Sequence, residues 1–130
     1  MFACLRLVRS FSSYAPVPLA AVRVPGRREH DAAVVFLHGL FGNKNNWKSI
    51  ARRVTEVSGR TTYSLDLRNH GDSPHTDPAS AVTLAMAGDV NHFLEQEGLR
   101  KCILVGHSLG GRVALQFAFS YVSWCTTSRL

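Results

Sequence analysis

KCILVGHSLGGRVALQFAF, residues 101–119, is the stretch on which the fold turns. Lys101–His107 is a near-continuous apolar run, as expected of a strand covered on both faces. Val113, Ala114 and Phe117 then recur at helical spacing. Between strand and helix stands Gly106-x-Ser108-x-Gly110, the pattern of a sharp turn that holds a serine in a strained backbone conformation and exposes its Oγ. The flanking glycines keep side chains away where the helix crosses the sheet. A bare G-x-S-x-G is often only a tight turn. Here a strand precedes it and a helix follows, so Ser108 reads as a nucleophile.

Working outward, AVVFLHG (Ala33–Gly39) and TTYSLDL (Thr61–Leu67) are two more apolar runs of strand length. Between them Trp47, Ile50, Ala51, Val54 and Val57 make a helical stripe, with Asn45 or Asn46 as N-cap and Gly59 as the stop. Between the second and third runs Met86, Val90, Phe93 and Leu94 repeat the device, with Thr83 before and Gly98 after. Both stripes are expected in the core. LAAVRV (Leu19–Val24) reads as a weaker edge strand. Strands alternating with helices predict an α/β fold with a mostly parallel sheet and flanking helices.

The end of the first strong strand, His38-Gly39-Leu40-Phe41-Gly42, is placed to complete an oxyanion site. An acyl-transfer intermediate needs two backbone N–H donors about 3 Å from its oxygen. One is expected from Leu109, at the start of the helix after Ser108, and the other from Leu40 or Phe41. The helix N-terminus adds partial positive charge toward the same point. After the middle strand, His70, Asp72, His75 and Asp77 sit in a turn rich in Gly and Pro. Self-satisfying turn hydrogen bonds account for them better than a metal does. Asp66 at the end of a strand gives a dinucleotide site a foothold, but G-L-F-G lacks the glycine spacing that lets a pyrophosphate approach. Neither metal nor organic cofactor is expected.

HGLFGNKNNW, LDLRNHGDSPH and GHSLGG, in this order and spacing, resemble the α/β-hydrolases, and within them a mitochondrial branch with bacterial esterase relatives. The resemblance covers roughly Val34 to Phe119. It implies hydrolysis of a small carboxylic or acyl-lipid ester, with Ser108 as nucleophile and Leu40 and Leu109 as oxyanion donors. In that fold the triad acid and then its His follow the serine along the chain. The twenty-two residues after Ser108 hold no Asp, Glu or His. His107, adjacent to Ser108, is expected to point elsewhere, and His38 belongs to the oxyanion strand. The resemblance therefore implies an amino-terminal half of the fold, a partial domain over residues 31–119 without the later strands and lid, and a tail at 120–130 outside the family pattern. Such a chain would be inactive by itself, or act, if at all, as an interaction partner.

Composition narrows the remaining classes. The formal charge is +6, but residues 1–30 hold five arginines against one acid, Glu29. The rest carries ten basic against eight acidic residues without a basic run interleaved with aromatics, so nucleic acid is not an expected partner. Cys4, Cys102 and Cys125 form no C-x-x-C pair. No run approaches the roughly 18 apolar residues of a membrane span, and no N-x-S/T acceptor occurs. Leu5, Val8 and Phe11 against Arg6 and Arg9 make an amphipathic cationic helix without an acid, the composition of a mitochondrial presequence. Residues 1–30 are thus expected to be presequence and linker, with cleavage near Arg9–Ser13 and a mitochondrial, matrix location.

Overall fold

The computed structural model describes residues 14–28 and 31–121. The expected import helix, its processing site at Arg9–Ser13 and the tail from position 122 lie outside these residues.

Strand β2 (Ala33–Leu37) is the centre of the sheet, and all five of its residues are buried. Strands β3 (Thr62–Leu65) and β4 (Cys102–Gly106) pair with it in parallel, one on each side. Strand β1 (Ala21–Val24) adds antiparallel to the outer side of β3, giving the order β1-β3-β2-β4. Val35 and Leu37 of β2 pack with Tyr63, Leu65 and Leu67 in one cluster, which helices α2 (Thr83–Gln96) and α3 (Leu109–Ser120) complete with Met86, Val90, Phe93, Leu94, Val113 and Phe117. Val34 and Phe36 alternate to the opposite face, under Ala51 of α1 (Lys48–Ser58) and the partly buried Trp47 and Val54. A strand covered on both sides has no polar face to keep, which is why AVVFL reads as one apolar run.

Strand β1 confirms the edge strand expected in LAAVRV. It falls within residues 1–30, the stretch expected to serve import and linkage, so the folded unit reaches upstream of position 31. The approach to it is anchored by hydrogen bonds: Val17 N–H donates to Asp89 Oδ1 at 2.8 Å and Ala20 N–H to Ser73 Oγ at 2.9 Å. Asp89 is fully buried and is gripped by Arg68, whose Nε and Nη2 reach its two oxygens at 2.6 and 2.7 Å.

Three local expectations are corrected. Neither Asn45 nor Asn46 is the N-cap: α1 itself starts after Trp47 with no side-chain cap bond, and the capping asparagine is Asn43. It caps a 3₁₀ turn, Lys44–Trp47, that runs straight into the helix; its side chain accepts from Asn45 N–H while Asn46 Oδ1 accepts from Asn43 N–H. The α1 stripe is only partly core: Ala51 is buried, but Ile50 and Val57 are 49% and 67% exposed. The helix covers a narrow cluster, and Thr55 takes a buried position by hydrogen-bonding Thr62 Oγ1 at 3.0 Å. Strand β4 is not covered throughout either. Among the described residues its only neighbour is β2, and Ile103 is 45% exposed. The α2 stripe is buried in full as expected, and Gly59 and Gly98 end their helices with φ of 73° and 65°. Among the described residues no helix is long and apolar enough to cross a membrane.

Candidate active site

The loop after β2 leads to α1 on one face of the sheet, and the loop after β4 leads to α3 on the other. Adjacent parallel strands whose connections leave in opposite directions open a crevice at their carboxyl ends, the place where open α/β sheets bind ligands. A cleft of about 570 Å³ lies there, lined by His38, Gly39, Leu40, Phe41, Gly42, Asn46, Trp47, Ile50, His107 and Ser108. That size suits a small organic molecule. Trp47 forms part of its wall and stacks on Phe36 with ring centroids 5.0 Å apart.

Ser108 stands at the hinge between β4 and α3 with φ 51° and ψ −111°. Side chains rarely adopt this region, and holding one there costs on the order of 1–3 kcal/mol. The surroundings enforce it by shape. A Cβ at Gly106 would meet the Gly110 carbonyl group at 2.3 Å, and a Cβ at Gly110 would meet Leu37 O at 2.3 Å. Backbone bonds join the elbow to the end of β2: His107 N–H donates to Leu37 O at 3.1 Å and Gly110 N–H to His38 O at 3.0 Å. Among the described residues, no side chain hydrogen-bonds to Ser108 Oγ.

The loop facing the elbow is held by polar contacts. His38, 1% exposed, accepts the Leu67 N–H on Nε2 at 3.0 Å, so Nδ1 carries the proton and donates to Gly39 O at 2.7 Å. Burial pushes its pKa below the ordinary histidine value, with His70 adding to this against the Gly39 bond. Both nitrogens of the neutral ring are thereby committed, and His38 has none left to serve as a base. His70 packs its ring 4.9 Å from that of His38. Its Nδ1 lies 2.9 Å from Arg68 O and its Nε2 2.5 Å from Leu40 O.

Lys44 and Asp66 secure the far end of the same loop. Asp66 is fully buried and accepts from the Lys44 N–H at 2.6 Å, the Lys44 ammonium at 2.5 Å and the Asp72 N–H at 2.9 Å. Burial alone would raise its pKa, but these bonds, that from the Lys44 ammonium foremost, hold the carboxyl below its ordinary value. The Lys44 ammonium, bonded to Asp66 and also to Asp72 at 2.6 Å, is held above its own. Gly71, at φ 52°, passes so close that a Cβ would sit 2.2 Å from an Asp66 oxygen. With its carboxylate spent inside the protein, Asp66 is not available to a ribose.

Of the four expected site residues, Leu40, Phe41 and Ser108 line the cleft together. Leu109 does not line it; its side chain packs against the α2–α3 cluster, and its N–H is the first of helix α3. No backbone hydrogen bond among the described residues engages the N–H of Leu40, Phe41 or Leu109. One expectation is corrected: His107 does not turn away from Ser108 but lines the same cleft, because Gly39 opposite has no side chain and its missing Cβ would stand 2.9 Å from His107 Nδ1. Sequence reasoning missed His70, Lys44 and Asp66 as supports of this loop. The available signal was the D-L-R-N-H-G-D stretch itself, too polar for a strand end that serves only as a turn.

The chain matches the α/β-hydrolase fold family over residues 32–126. It is 50% identical over 86 residues, 66% of its length, to the sn-1-specific diacylglycerol lipase ABHD11 of Mus musculus, and 38% identical over 117 residues, 88% of its length, to a probable alcohol acetyltransferase of Saccharomyces cerevisiae. These matches span 27% and 34% of the two relatives, so the chain covers only about a quarter to a third of the proteins it resembles. Among solved structures, a marine microorganism esterase superposes with a TM-score of 0.73 at 32% identity, covering 82% of this chain and 38% of that one. A strained serine between close-packed glycines, a facing loop with unspent N–H groups and this likeness over most of its length agree: the chain belongs to the α/β-hydrolase fold family.

Proposed function

We propose that the chain supplies the nucleophile and oxyanion elements of a serine ester hydrolase acting on a small carboxylic or acyl-lipid ester. The observation that carries this is the backbone of Ser108, held at φ 51° in the cleft that Leu40 and Phe41 also line. Ser108 Oγ attacks the ester carbonyl carbon, its proton passing to a base. The carbonyl oxygen becomes the oxyanion received by the N–H groups of Leu109 and of Leu40 or Phe41. The ester C–O bond then breaks, the alcohol departs with the proton, and water releases the acid from the acyl-serine. The names of the mouse lipase and the marine esterase support an ester substrate. The yeast relative, matched over more of the chain, favours a second acceptor for the acyl group, an alcohol in place of water.

Among the described residues no side chain, that of His107 in the same cleft included, hydrogen-bonds to Ser108 Oγ, and both ring nitrogens of His38 are committed, so turnover by this chain alone is expected to be weak. Removing a triad member leaves only about 10³–10⁴-fold catalysis over water. The reading is tested by exposing the chain and a Ser108→Ala variant to a fluorophosphonate probe and mapping the adduct by mass spectrometry. Selective modification of Ser108 supports it; labelling spread evenly over surface serines, or none at Ser108, sinks it. Hydrolysis of p-nitrophenyl acetate with and without added ethanol then separates water from alcohol as acceptor. The acid-free arginine segment at the amino terminus supports import into mitochondria, with a mature end near residue 11. Peptide sequencing of protein recovered from the matrix decides this, an intact Met1 being the contrary result.

A further inference from the structure

Each of the two candidate N–H donors on the loop that lines the cleft with Ser108 belongs to a peptide unit whose carbonyl is gripped by a histidine. In a trans peptide the C=O and the N–H point in opposite directions, and no cis bond occurs among the described residues. Gly39 O accepts from His38 Nδ1 at 2.7 Å and from Gly42 N–H at 2.9 Å, which turns the Leu40 N–H the other way, off the buried ring. Leu40 O accepts from His70 Nε2, and His70 is not among the residues lining the cleft, so the Phe41 N–H of the same peptide is turned away from His70. His38 cannot hold this second peptide, because its two nitrogens are already spent on Gly39 O and Leu67 N–H.

We propose that His70 is a positioning residue for the oxyanion loop: by gripping Leu40 O it fixes the Leu40–Phe41 peptide and aims the Phe41 N–H at the oxygen of an intermediate on Ser108. This rests on the reading of Ser108 and the facing loop given above. It also commits the loop to two donors of its own, Leu40 held by His38 and Phe41 held by His70. The second needs the grip more than the first. Phe41 is 98% exposed and Leu40 54%, so packing does little to fix the peptide between them. Nδ1 lies beside Arg68 O on the loop after β3; a neutral ring carries one N–H, and in the tautomer with that proton on Nε2 the bond to Leu40 O is the one it donates.

Three substitutions separate this role from general support. His70→Gln puts an amide donor where Nε2 stands, His70→Asn puts one where Nδ1 stands, and His70→Phe keeps a ring against His38 but donates nothing. Phosphonylation of Ser108 in the 130-residue chain is expected to slow about tenfold in the Asn and Phe variants and to stay within about twofold in the Gln variant, a smaller loss than the 10²–10³ of deleting a donor outright. The Phe41 amide resonance is expected to move in Asn and Phe and to return toward its original position in Gln, with melting midpoints of Gln and Asn alike. Equal rates and equal Phe41 shifts for Gln and Asn would overturn the proposal, as would a Phe variant indistinguishable from the original. The Phe41 resonance needs no reaction. Absence of labelling at Ser108 in the unaltered chain defeats the hydrolase reading, while the Gln and Asn spectra still decide what His70 does.

Discussion

The two loops that form the cleft are held by opposite means. The elbow after β4 is held by shape: Gly106 and Gly110 press backbone on backbone, and Ser108 has nowhere else to go. The loop after β2 is held by polar contacts: its own Lys44 and His38 bond Asp66 and Leu67, and His70 bonds Leu40, across 22 to 30 residues of sequence. The first tolerates almost no added volume but is indifferent to pH. The second has room at its surface but depends on charge.

The largest effect is expected from Gly110→Ala, whose methyl would collide with Leu37 O and force the elbow off β2. A loss of about 3 kcal/mol or more follows, beyond most overpacked cores because backbone rather than a side chain must yield. Gly111→Ala, where the nearest contact is an ordinary 3.5 Å, is expected to leave stability within about 1 kcal/mol. Urea midpoints of the two variants check this, and equal losses would break the contrast.

Next comes Asp66→Asn, which keeps the shape of the polar loop and removes its charge. Bonds to a buried carboxylate contribute about 1.5–3 kcal/mol each, so a loss of about 2 kcal/mol at neutral pH is expected. The sign with pH follows from the direction of the shift. Because the folded carboxyl lies below its ordinary 3.8, its stabilisation is fully present above that value and is lost as the pH falls from there through the lower folded value. Lys44, raised above 10.5, contributes stability present below that value and lost as the pH rises through the higher folded one. Thermal melts between pH 5 and 2 should therefore fall for the original chain and flatten for Asp66→Asn. A parallel fall in both would place the acid sensitivity elsewhere.

The smallest effect on stability is expected at Phe41 and Ile50, which are exposed at the cleft. Phe41→Ser or Ile50→Ser should shift the melting free energy by no more than about 0.5 kcal/mol. Ile103→Lys, on the open side of β4, should likewise be mild for folding yet reduce self-association in size-exclusion runs, since an unpaired apolar edge templates pairing between chains.

The contrast also explains what could be read in advance. The elbow is legible because its parts are adjacent: five residues, a strand before and a helix after. The three parallel strands and both crossover helices were legible for the same reason, since period and turn residues are local. The polar supports were not, because nothing in His70 or Asp66 announces a partner in the loop at 38–44; only the sheet order, which sets β3 beside β2, brings them together. The α1 stripe failed for a related reason. Periodicity reports which side of a helix is apolar, but whether Ile50 and Val57 are covered depends on elements elsewhere. Residues 19–24 succeeded only in part: the strand was legible, but the bonds that anchor its approach, Val17 to Asp89 and Ala20 to Ser73, were not.

If Ser108 is the proposed nucleophile, its positive-φ backbone sets the interests of folding and chemistry against each other. Glycine adopts φ 51° without penalty, so Ser108→Gly should melt higher than the original chain by the equivalent of about 1 kcal/mol. A selection that rewarded durability alone would erase the hydroxyl at this position. On the proposed reading of Ser108 as nucleophile, a library sorted for thermal survival and then for phosphonylation should separate the two pressures at this single codon.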